Sequence, residues 1–380
     1  MLTELLASIS PSWPQRLIAD RLATVDIELN GHRPWDIRVH DPHLYRRLLV
    51  GGSLALGESY VEGAWDCSQL DLFFMRLLRG KLDERCWSPV TWWFDRVARW
   101  HNRQSPTRAL EVAQRHYDLH PDLYHAMLGE KRVYSCGYWR EAGTLDEAQL
   151  AKIDLVCRKL GLQPGMRVLD IGCGWGAAAR HAAEQYGAIV VGITISHEQA
   201  VVARQRCHGL PVTILEQDYR TLEGSFERIF SIGMFEHVGA ENYRNYFSVV
   251  RRCLTADGLF LLHTIGSEQS AHTIDPWLDR YIFPNATIPS VCALTTAYAD
   301  HFILEDWHNF GADYDRTLMA WHARLEQAWD DLRVRRDERV RRLWRYYLLS
   351  CAASFRVRKN HLWQVVFSPT SRHCRYHSIR

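Results

Sequence analysis

The chain has 380 residues, of which 47% are hydrophobic and 24% are charged. A chain of this length and composition can bury a substantial core, which excludes an intrinsically disordered protein and allows one large domain with a smaller partner. Its 46 basic and 44 acidic residues give a formal net charge of +2, so bulk charge does not suggest a protein that coats nucleic acid.

The ten cysteines occur singly, without a CxxC pair or the spacing of a zinc site. Reduced thiols in a cytoplasmic protein are the simplest interpretation, and no metal site is expected. The first residues, MLTELLASIS, lack the basic and long apolar stretches of an export signal, and no run of about 18 apolar residues occurs. A membrane substrate would therefore be reached from the membrane surface.

The distribution of patterns predicts two domains. Residues 1–115 are rich in Trp, Arg and Leu and show no strand-helix alternation, which predicts a smaller, mostly helical N-terminal domain. A catalytic domain is predicted over residues 116–380. There, apolar runs alternate with helical stretches at 177–187, 197–208 and 242–254; the runs are MRVLDI, AIVVGIT, PVTILEQ, FERIFSIG and GLFLLHTIG. This alternation predicts an α/β fold with a Rossmann-like, doubly wound parallel sheet.

The segments after this alternation are less regular. A Pro-punctuated segment at 267–295 is expected to cap the carboxyl edge of the sheet, where ligands bind in open α/β folds. A strand FILEDWH, an Arg-rich helical stretch near 315–358 and a last strand LWQVVF follow. The tail SRHCRYHSIR is expected to be frayed.

The string VLDIGCGWGA ends one predicted strand and opens a helix, and Gly172, Gly174 and Gly176 let the backbone approach a ligand closely. This spacing also fits a dinucleotide-binding loop. However, Asp170 would repel a pyrophosphate, and the next strand ends in Thr194 where a dinucleotide fold requires an acid. S-adenosylmethionine carries no phosphate, and an anionic neighbour favours its sulfonium and α-ammonium. We therefore predict a class I methyltransferase sheet that binds this cofactor.

Later strand ends are expected to complete the cofactor pocket. Gln199 is predicted to bind the ribose hydroxyls, Asp218 and Tyr219 to flank the adenine, and Gly233 to lie beside the methionine moiety. Each polar residue also has a structural interpretation. Asp218 could cap a turn, Tyr219 could be core, and Gln199 could be a solvated helix residue.

Four short strings place polar residues inside apolar or aromatic runs: RVYSCGYW (132–139), GMFEHVG (233–239), LLHTIG (261–266) and NFGADYD (309–315). Together with LDIGCGWG, they resemble the cyclopropane-fatty-acid synthases and the related mycolic acid cyclopropane synthases. The resemblance extends over nearly the whole chain, from LGESYVEGAWDC (56–67) to LWQVVF, whereas a generic methyltransferase would share only the glycine loop. The segment LGEKRV (128–133) is less similar to the family, so a different lid over the lipid entrance is expected.

The resemblance implies that a methylene group from S-adenosylmethionine is added across the cis double bond of an unsaturated phospholipid acyl chain. In that family a bicarbonate ion acts as the base, and its ligands correspond here to the following residues: Cys136, Glu236, His263, Ile265 and Tyr314. A base is needed because methyl transfer to an alkene leaves a carbocation that must lose a proton before the ring closes. Tyr134 and Ser135 are expected to contact the cofactor.

A dry aromatic lining would keep water from the cation and stabilise its charge. The candidates for this lining are Tyr138, Phe235, Tyr281 and Phe283. The polar residues have structural alternatives, because Glu236 and His237 could form an ion pair, His263 could be a core residue and Cys136 an inert thiol. Cys351 lies in an alanine-rich string without an evident base, which indicates helix packing.

Three other functions fit the sequence less well than this one. An N- or O-methyltransferase of a soluble small molecule is the strongest alternative, because such relatives share the GMFEHVG and YSCGYW strings. A non-catalytic lipid-binding protein is disfavoured by the intact glycines and polar residues. Nucleic-acid methylation is disfavoured because no NPPY or PC string follows the fourth strand.

An acyl double bond lies deep in a leaflet, so the enzyme needs a surface that contacts lipid. Residues 90–103 (VTWWFDRVARWHNR) and 333–349 (RVRRDERVRRLWRYYLL) are candidates, although an amphipathic helix packed on the core explains both equally well. The predicted location is cytoplasmic, peripherally associated with the inner membrane. The expected partners are unsaturated membrane phospholipids and, by resemblance, a second copy in a homodimer, and no nucleic acid.

Overall fold

The computed structural model describes residues 12–85, 121–270, 273–332, 337–372 and 375–380. Its helices are α1 (Ser12–Ala23), α2 (Leu44–Val61), α3 (Leu70–Arg79), α4 (Leu82–Arg85), α5 (Pro121–Leu128), α6 (Leu145–Lys159), α7 (Ala177–Tyr186), α8 (His197–Arg206), α9 (Tyr243–Cys253), α10 (Pro276–Tyr281), α11 (Val291–Tyr298), α12 (Ala312–Ala328) and α13 (Glu338–Arg356). Its strands are β1 (Arg38–Val39), β2 (Trp65–Asp66), β3 (Arg167–Ile171), β4 (Ile189–Thr194), β5 (Val212–Glu216), β6 (Phe226–Ile232), β7 (Leu254–Gly266), β8 (Phe302–Asn309) and β9 (His361–Pro369).

A seven-stranded sheet in the order β5-β4-β3-β6-β7-β9-β8 forms the core of the fold. The five strands from β5 to β7 pair in parallel, so the predicted α/β fold with a doubly wound sheet is confirmed. The sheet is nevertheless mixed, because β9 runs antiparallel to both β7 and β8. Helices α12 and α13 connect β8 to β9, so β9 begins at the same edge of the sheet at which β8 ends.

Both faces of the sheet are covered. Alternate residues of one strand belong to different hydrophobic clusters: Ile229 lies in the cluster of α9, whereas its neighbour Phe230 lies in the cluster of α6 and α7. The same division separates Leu262 from Leu261 on β7. A period of two along a strand places successive side chains on opposite faces, which explains the apolar runs in the sequence.

Residues 12–85 are mostly helical, with the two-residue strands β1 and β2 as a short ribbon. Their core is continuous with α12 and α13, since Trp65, Phe73 and Trp321 share one cluster with Tyr346. The domain boundary at residue 115 and the stretch 90–103 lie outside the described residues and stay predictions.

Residues 276–298 contact the carboxyl edge of the sheet. The amide of Thr287 donates to the carbonyl oxygen of Glu236, just beyond β6, at 2.8 Å. Trp277 of α10 is fully buried, and its ring centroid lies 4.4 Å from that of Tyr346 on α13. In the described ranges, no helix combines the length and apolarity needed to cross a membrane.

The expectation of a frayed tail is wrong for residues 375–380. The guanidinium of Arg380 donates two hydrogen bonds, of 2.6 and 2.7 Å, to the carboxylate of Asp306 on β8. Tyr376 and Ile379 pack against apolar clusters beside the sheet. A buried carboxylate with a bidentate partner therefore fixes this segment.

Candidate active site

A cavity of about 220 Å³ lies at the carboxyl ends of β3, β4 and β6. All ten residues predicted to contact the cofactor line it: Tyr134, Ser135, Asp170, Gly172, Gly174, Thr194, Gln199, Asp218, Tyr219 and Gly233. They converge because parallel strands present their carboxyl ends at one edge of the sheet. Their individual contacts to a cofactor stay predictions.

The glycine loop forms one wall of this cavity. Gly172 and Gly174 have φ of 85° and 53°, a conformation that other residues adopt at a cost. A Cβ at Gly172 would lie 2.8 Å from the Cβ of Met234, whereas a Cβ at Gly174 would meet no atom of the described residues within 4 Å. Gly174 therefore faces open space, and its lack of a side chain keeps that space free.

A second wall follows β4. The hydroxyl of Ser196 accepts a hydrogen bond from the amide of Gln199 and caps α8, which orients this turn. The hydroxyl of Thr194 donates to Oε1 of Gln199 at 2.9 Å. Gln199 is buried, so its interpretation as a solvated helix residue is wrong.

Asp218 and Tyr219 form the next part of the wall. A carboxylate oxygen of Asp218 accepts a hydrogen bond of 2.9 Å from the amide of Arg220, so Asp218 does cap a turn, as its structural interpretation held. Tyr219 is buried, and its ring packs edge-on against Tyr246 at 5.2 Å between centroids. Both residues also line the cavity, so the structural and functional interpretations are compatible.

Helix α6 holds the YSCGYW segment against the cavity. The amide group of Gln149 donates to the carbonyl oxygen of Ser135 at 2.7 Å, and the ammonium of Lys152 donates to the hydroxyl of Ser135, also at 2.7 Å. The amide of Tyr138 donates to the carbonyl of Ala148 at 2.8 Å. One face of a single helix therefore fixes this segment.

Sequence reasoning missed several residues of the cavity wall: Lys152, Trp175, Gln217, Met234 and His237. Lys152 could have been found, because it interrupts the apolar face of α6 that includes Ala148 and Val156. A charged residue on a buried helix face needs a partner. A lysine at a position that the helical periodicity assigns to the buried face is therefore a signal of such a contact.

Two ionisable groups lie together in the cavity wall. Asp170 and Lys152 are 2% and 1% exposed, and Oδ2 of Asp170 has no hydrogen-bond partner in the described part of the chain. Burial raises the pKa of Asp170 to about 8, and the charge of Lys152 opposes this rise. Burial likewise lowers the pKa of Lys152 to about 7, and the nearby Cys136 and Asp170 oppose this fall.

The five predicted bicarbonate ligands meet in one neighbourhood next to the cavity. Cys136, Ile265 and Tyr314 share one apolar cluster. Oε1 of Glu236 accepts a hydrogen bond of 2.6 Å from the amide of Ile265. His263 lies two residues before Ile265 on β7, and its ring is 5.9 Å from that of Phe310, a member of the same cluster.

Two buried polar atoms of this neighbourhood, Oε2 of Glu236 and Nε2 of His263, have no hydrogen-bond partner among the described residues. Burial lowers the pKa of His263 far below its usual range, so the ring is neutral. The side-chain amide of Gln364 donates to Nδ1 of His263 at 3.3 Å. This contact leaves the ring proton on Nε2, which can act as a donor. Burial raises the pKa of Glu236 and of Tyr314 above their usual ranges, so the phenol of Tyr314 keeps its proton.

The structural alternatives for the other polar residues are resolved in part. Burial lowers the pKa of His237 to about 4, so the predicted alternative of an ion pair with Glu236 is wrong. Cys136 is fully buried, and burial raises its thiol pKa well above the usual range. Burial also raises the pKa of Cys351 to about 12, which agrees with its interpretation as a packing residue.

Two of the four aromatic candidates lie near the site. The ring of Phe283 is 6.4 Å from Tyr134, and the ring of Tyr138 is 5.3 Å from Phe310. The other two were wrong. Phe235 stacks on Tyr243 in the core beneath α9, and Tyr281, the last residue of α10, is 39% exposed.

Comparisons with known proteins agree with this geometry. The family model described as mycolic acid cyclopropane synthetase matches residues 104–365. A cyclopropane-fatty-acyl-phospholipid synthase of Escherichia coli (strain K12) is 50% identical over 357 residues, which cover 93% of this chain and 93% of the relative.

Solved structures of similar fold include mycolic acid cyclopropane synthase CmaA1 complexed with SAH and CTAB. It has a TM-score of 0.63 and 34% identity, and the match covers 68% of this chain and 97% of that one. Coclaurine N-methyltransferase bound to N-methylheliamine and SAH has a TM-score of 0.64, with coverage of 82% and 98%. At 24% identity, the latter likeness shows the fold alone.

Proposed function

The chain belongs to the mycolic acid cyclopropane synthetase family, and from this premise we propose that it is a cyclopropane-fatty-acyl-phospholipid synthase. It would use S-adenosylmethionine to add a methylene bridge across the cis double bond of an unsaturated phospholipid acyl chain. One observation carries the proposal. The cavity suited to a nucleoside lies next to a separate buried group formed by Glu236, His263 and Tyr314. A simple methyltransferase needs only the first of these two parts.

The cavity suits S-adenosylmethionine by shape and by charge. Its glycine wall leaves open space at Gly174, and Oδ2 of Asp170 is buried without a hydrogen-bond partner among the described residues. When bound, S-adenosylmethionine supplies an electrophilic methyl group on a sulfonium. Asp170 would bind the α-ammonium of the methionine moiety, and Gln199, Asp218 and Tyr219 would hold the nucleoside.

The neighbouring group suits bicarbonate, a small planar anion that also carries a hydroxyl. The Nε2 proton of His263 and the phenol of Tyr314 would donate to its oxygens, while Oε2 of Glu236 would exchange a hydrogen bond with its hydroxyl. Bicarbonate bound there supplies a base for one proton. Ile265 would fix Glu236 through its amide, and the apolar cluster around Cys136 would exclude water from the cation.

Contact with the membrane is proposed through residues 90–103. The competing stretch 333–349 is less suited to contact lipid, because two of its arginines already bind other residues of the chain. Arg341 pairs with Glu326 on α12, and Arg342 donates to the carbonyl oxygens of Tyr60 and Trp65. We further propose peripheral association with the inner membrane from the cytoplasmic side, and a homodimer, which sedimentation analysis of the purified protein would test.

The deciding experiment is incubation of the purified protein with S-adenosylmethionine and vesicles of unsaturated phospholipid. Mass spectrometry of the recovered acyl chains should show the mass of one added CH2 group per double bond, and vesicles of saturated phospholipid should stay unchanged. An unchanged unsaturated lipid, together with methylation of a soluble amine or hydroxyl compound, would favour the soluble-substrate methyltransferase instead.

A further inference from the structure

Lys152 is a buried cation in the wall of the proposed cofactor site, and the proposed chemistry gives it no role. It lies on α6, is 1% exposed and lines the cavity. Its ammonium is fixed by the 2.7 Å hydrogen bond to the hydroxyl of Ser135, which also lines the cavity. Burying an ammonium without a counter-ion is costly, so its position demands an electrostatic explanation.

Asp170 provides that explanation. It lines the same cavity, is 2% exposed and has an oxygen without a hydrogen-bond partner in the described chain. The two groups do not form a direct hydrogen bond, but each is an electrostatic neighbour that favours the charged form of the other. The wall of the cavity therefore carries an acid and an amine whose charges balance.

The buried titratable groups around the pair are neutral near pH 7, and the charged side chains of Arg132, Asp218 and Arg220 also line the cavity. Burial raises the pKa of the surrounding thiols and phenol, and it lowers the pKa of the imidazole; these groups are Cys136, Cys157, Cys173, Cys207, Tyr246 and His263. Among these buried groups, changes of charge near neutral pH consequently arise from Lys152 and Asp170.

We propose that Lys152 is a positioning residue that sets the ionisation of Asp170, so that S-adenosylmethionine binds with release of a proton from the Lys152–Asp170 pair. This inference rests on the proposed function, because it assumes that cofactor. An arriving cation stabilises the carboxylate of Asp170 and destabilises the ammonium of Lys152, and both effects expel a proton. Affinity for the cofactor therefore rises with pH.

The pH range over which the affinity for S-adenosylmethionine rises follows from the pKa values of the two groups. Their pKa values, about 7 for Lys152 and about 8 for Asp170, place the rise of affinity in the range from pH 7 to pH 8. Replacing Lys152 by Met removes the charge that favours the carboxylate, which raises the pKa of Asp170 further and moves the rise to higher pH. The affinity at pH 7 then falls about tenfold for each unit of that pKa change. Lys152→Arg keeps a permanent charge, and it should move the rise to lower pH.

The experiment is calorimetric titration of the full chain with S-adenosylmethionine, without lipid, at several pH values and in two buffers of different ionisation enthalpy. Wild type should release a proton between pH 7 and pH 8. The Met and Arg variants should displace the pH dependence in opposite directions, which a purely structural role would not do. Lys159→Met is the matched control, because Lys159 is equally buried on α6 but pairs with Asp306 away from the cavity.

The outcomes separate this inference from the proposed function. If wild type does not bind S-adenosylmethionine at any pH, the proposed function fails and the inference fails with it. If wild type binds without releasing a proton, or if the Lys152 and Lys159 variants lose affinity equally, only the role of Lys152 is overturned. Should the Lys152 variants not fold, the proton count of wild type still decides.

Discussion

Oε1 of Glu236 accepts a hydrogen bond of 2.6 Å from the main-chain amide of Ile265, while its other oxygen, Oε2, is buried without a partner among the described residues. The first contact fixes the side chain, and the second oxygen is available to a ligand. A glutamine could keep the first contact, since its own carbonyl oxygen can accept from Ile265. Glu236→Gln is therefore a substitution that changes the chemistry of the site while preserving its geometry.

We expect Glu236→Gln to lower turnover by about a hundredfold or more, because a bound oxyanion would lose a preorganised partner. The affinity for S-adenosylmethionine should change little, since Glu236 is not part of the cavity wall. Steady-state kinetics with lipid vesicles and calorimetric titration of the cofactor measure the two quantities. Glu241→Gln, at an exposed position five residues later, is the control. Wild-type turnover in Glu236→Gln would remove this residue from the site.

Bicarbonate itself can be tested without a substitution. Carefully degassed wild-type protein should lose activity, and added bicarbonate should restore it, because the proposed base is not part of the chain. The rate is measured by mass spectrometry of the lipid product at constant pH. Chloride at the same ionic strength serves as control, and a rate indifferent to bicarbonate would contradict its role as the base.

Gly174→Val should abolish the binding of S-adenosylmethionine. Its side chain would project into space that none of the described residues occupies, which is the space predicted for the cofactor. Gly161→Val is a matched control, because Gly161 has a similar φ of 58°, also faces open space and lies outside the cavity. Calorimetric titration should show binding for the control only. Equal affinity in a folded Gly174→Val protein would separate the glycine loop from the cofactor.

The joint replacement of Trp92, Trp93 and Arg96 should weaken sedimentation with anionic vesicles and leave cofactor affinity unchanged. Aromatic and basic side chains together favour the membrane interface, so their loss removes both apolar and electrostatic attraction. Replacing the exposed Arg244 on α9, outside both candidate stretches, controls for charge. Unchanged vesicle binding would place the lipid-contacting surface elsewhere.

Arg342→Ala should lower the free energy of unfolding by roughly 2–4 kcal/mol. This side chain joins α13 to residues 60–66 through three hydrogen bonds of 2.5 to 2.7 Å, which end on Tyr60, Trp65 and Asp66. Urea denaturation measures the loss, with the exposed Arg339→Ala as reference. Equal stability of the two variants would show that the bridge contributes little.

The sequence by itself determined the fold class, the strands and the cofactor loop. Strand and helix periods are local properties, so the alternation from β3 to β7 could be recognised without knowledge of the tertiary structure. The strings around Asp170, Glu236 and His263 carried the family resemblance, and parallel strand ends necessarily meet at one edge of a sheet.

Only the tertiary structure decided how these strings meet. The antiparallel direction of β9, the docking of Arg380 on Asp306 and the burial of Lys152 beside Asp170 depend on contacts between residues far apart in the chain. Periodicity assigns a side chain to a face but does not tell what packs against that face. Ionisation depends on desolvation and neighbouring charges, and both exist only once the chain has folded.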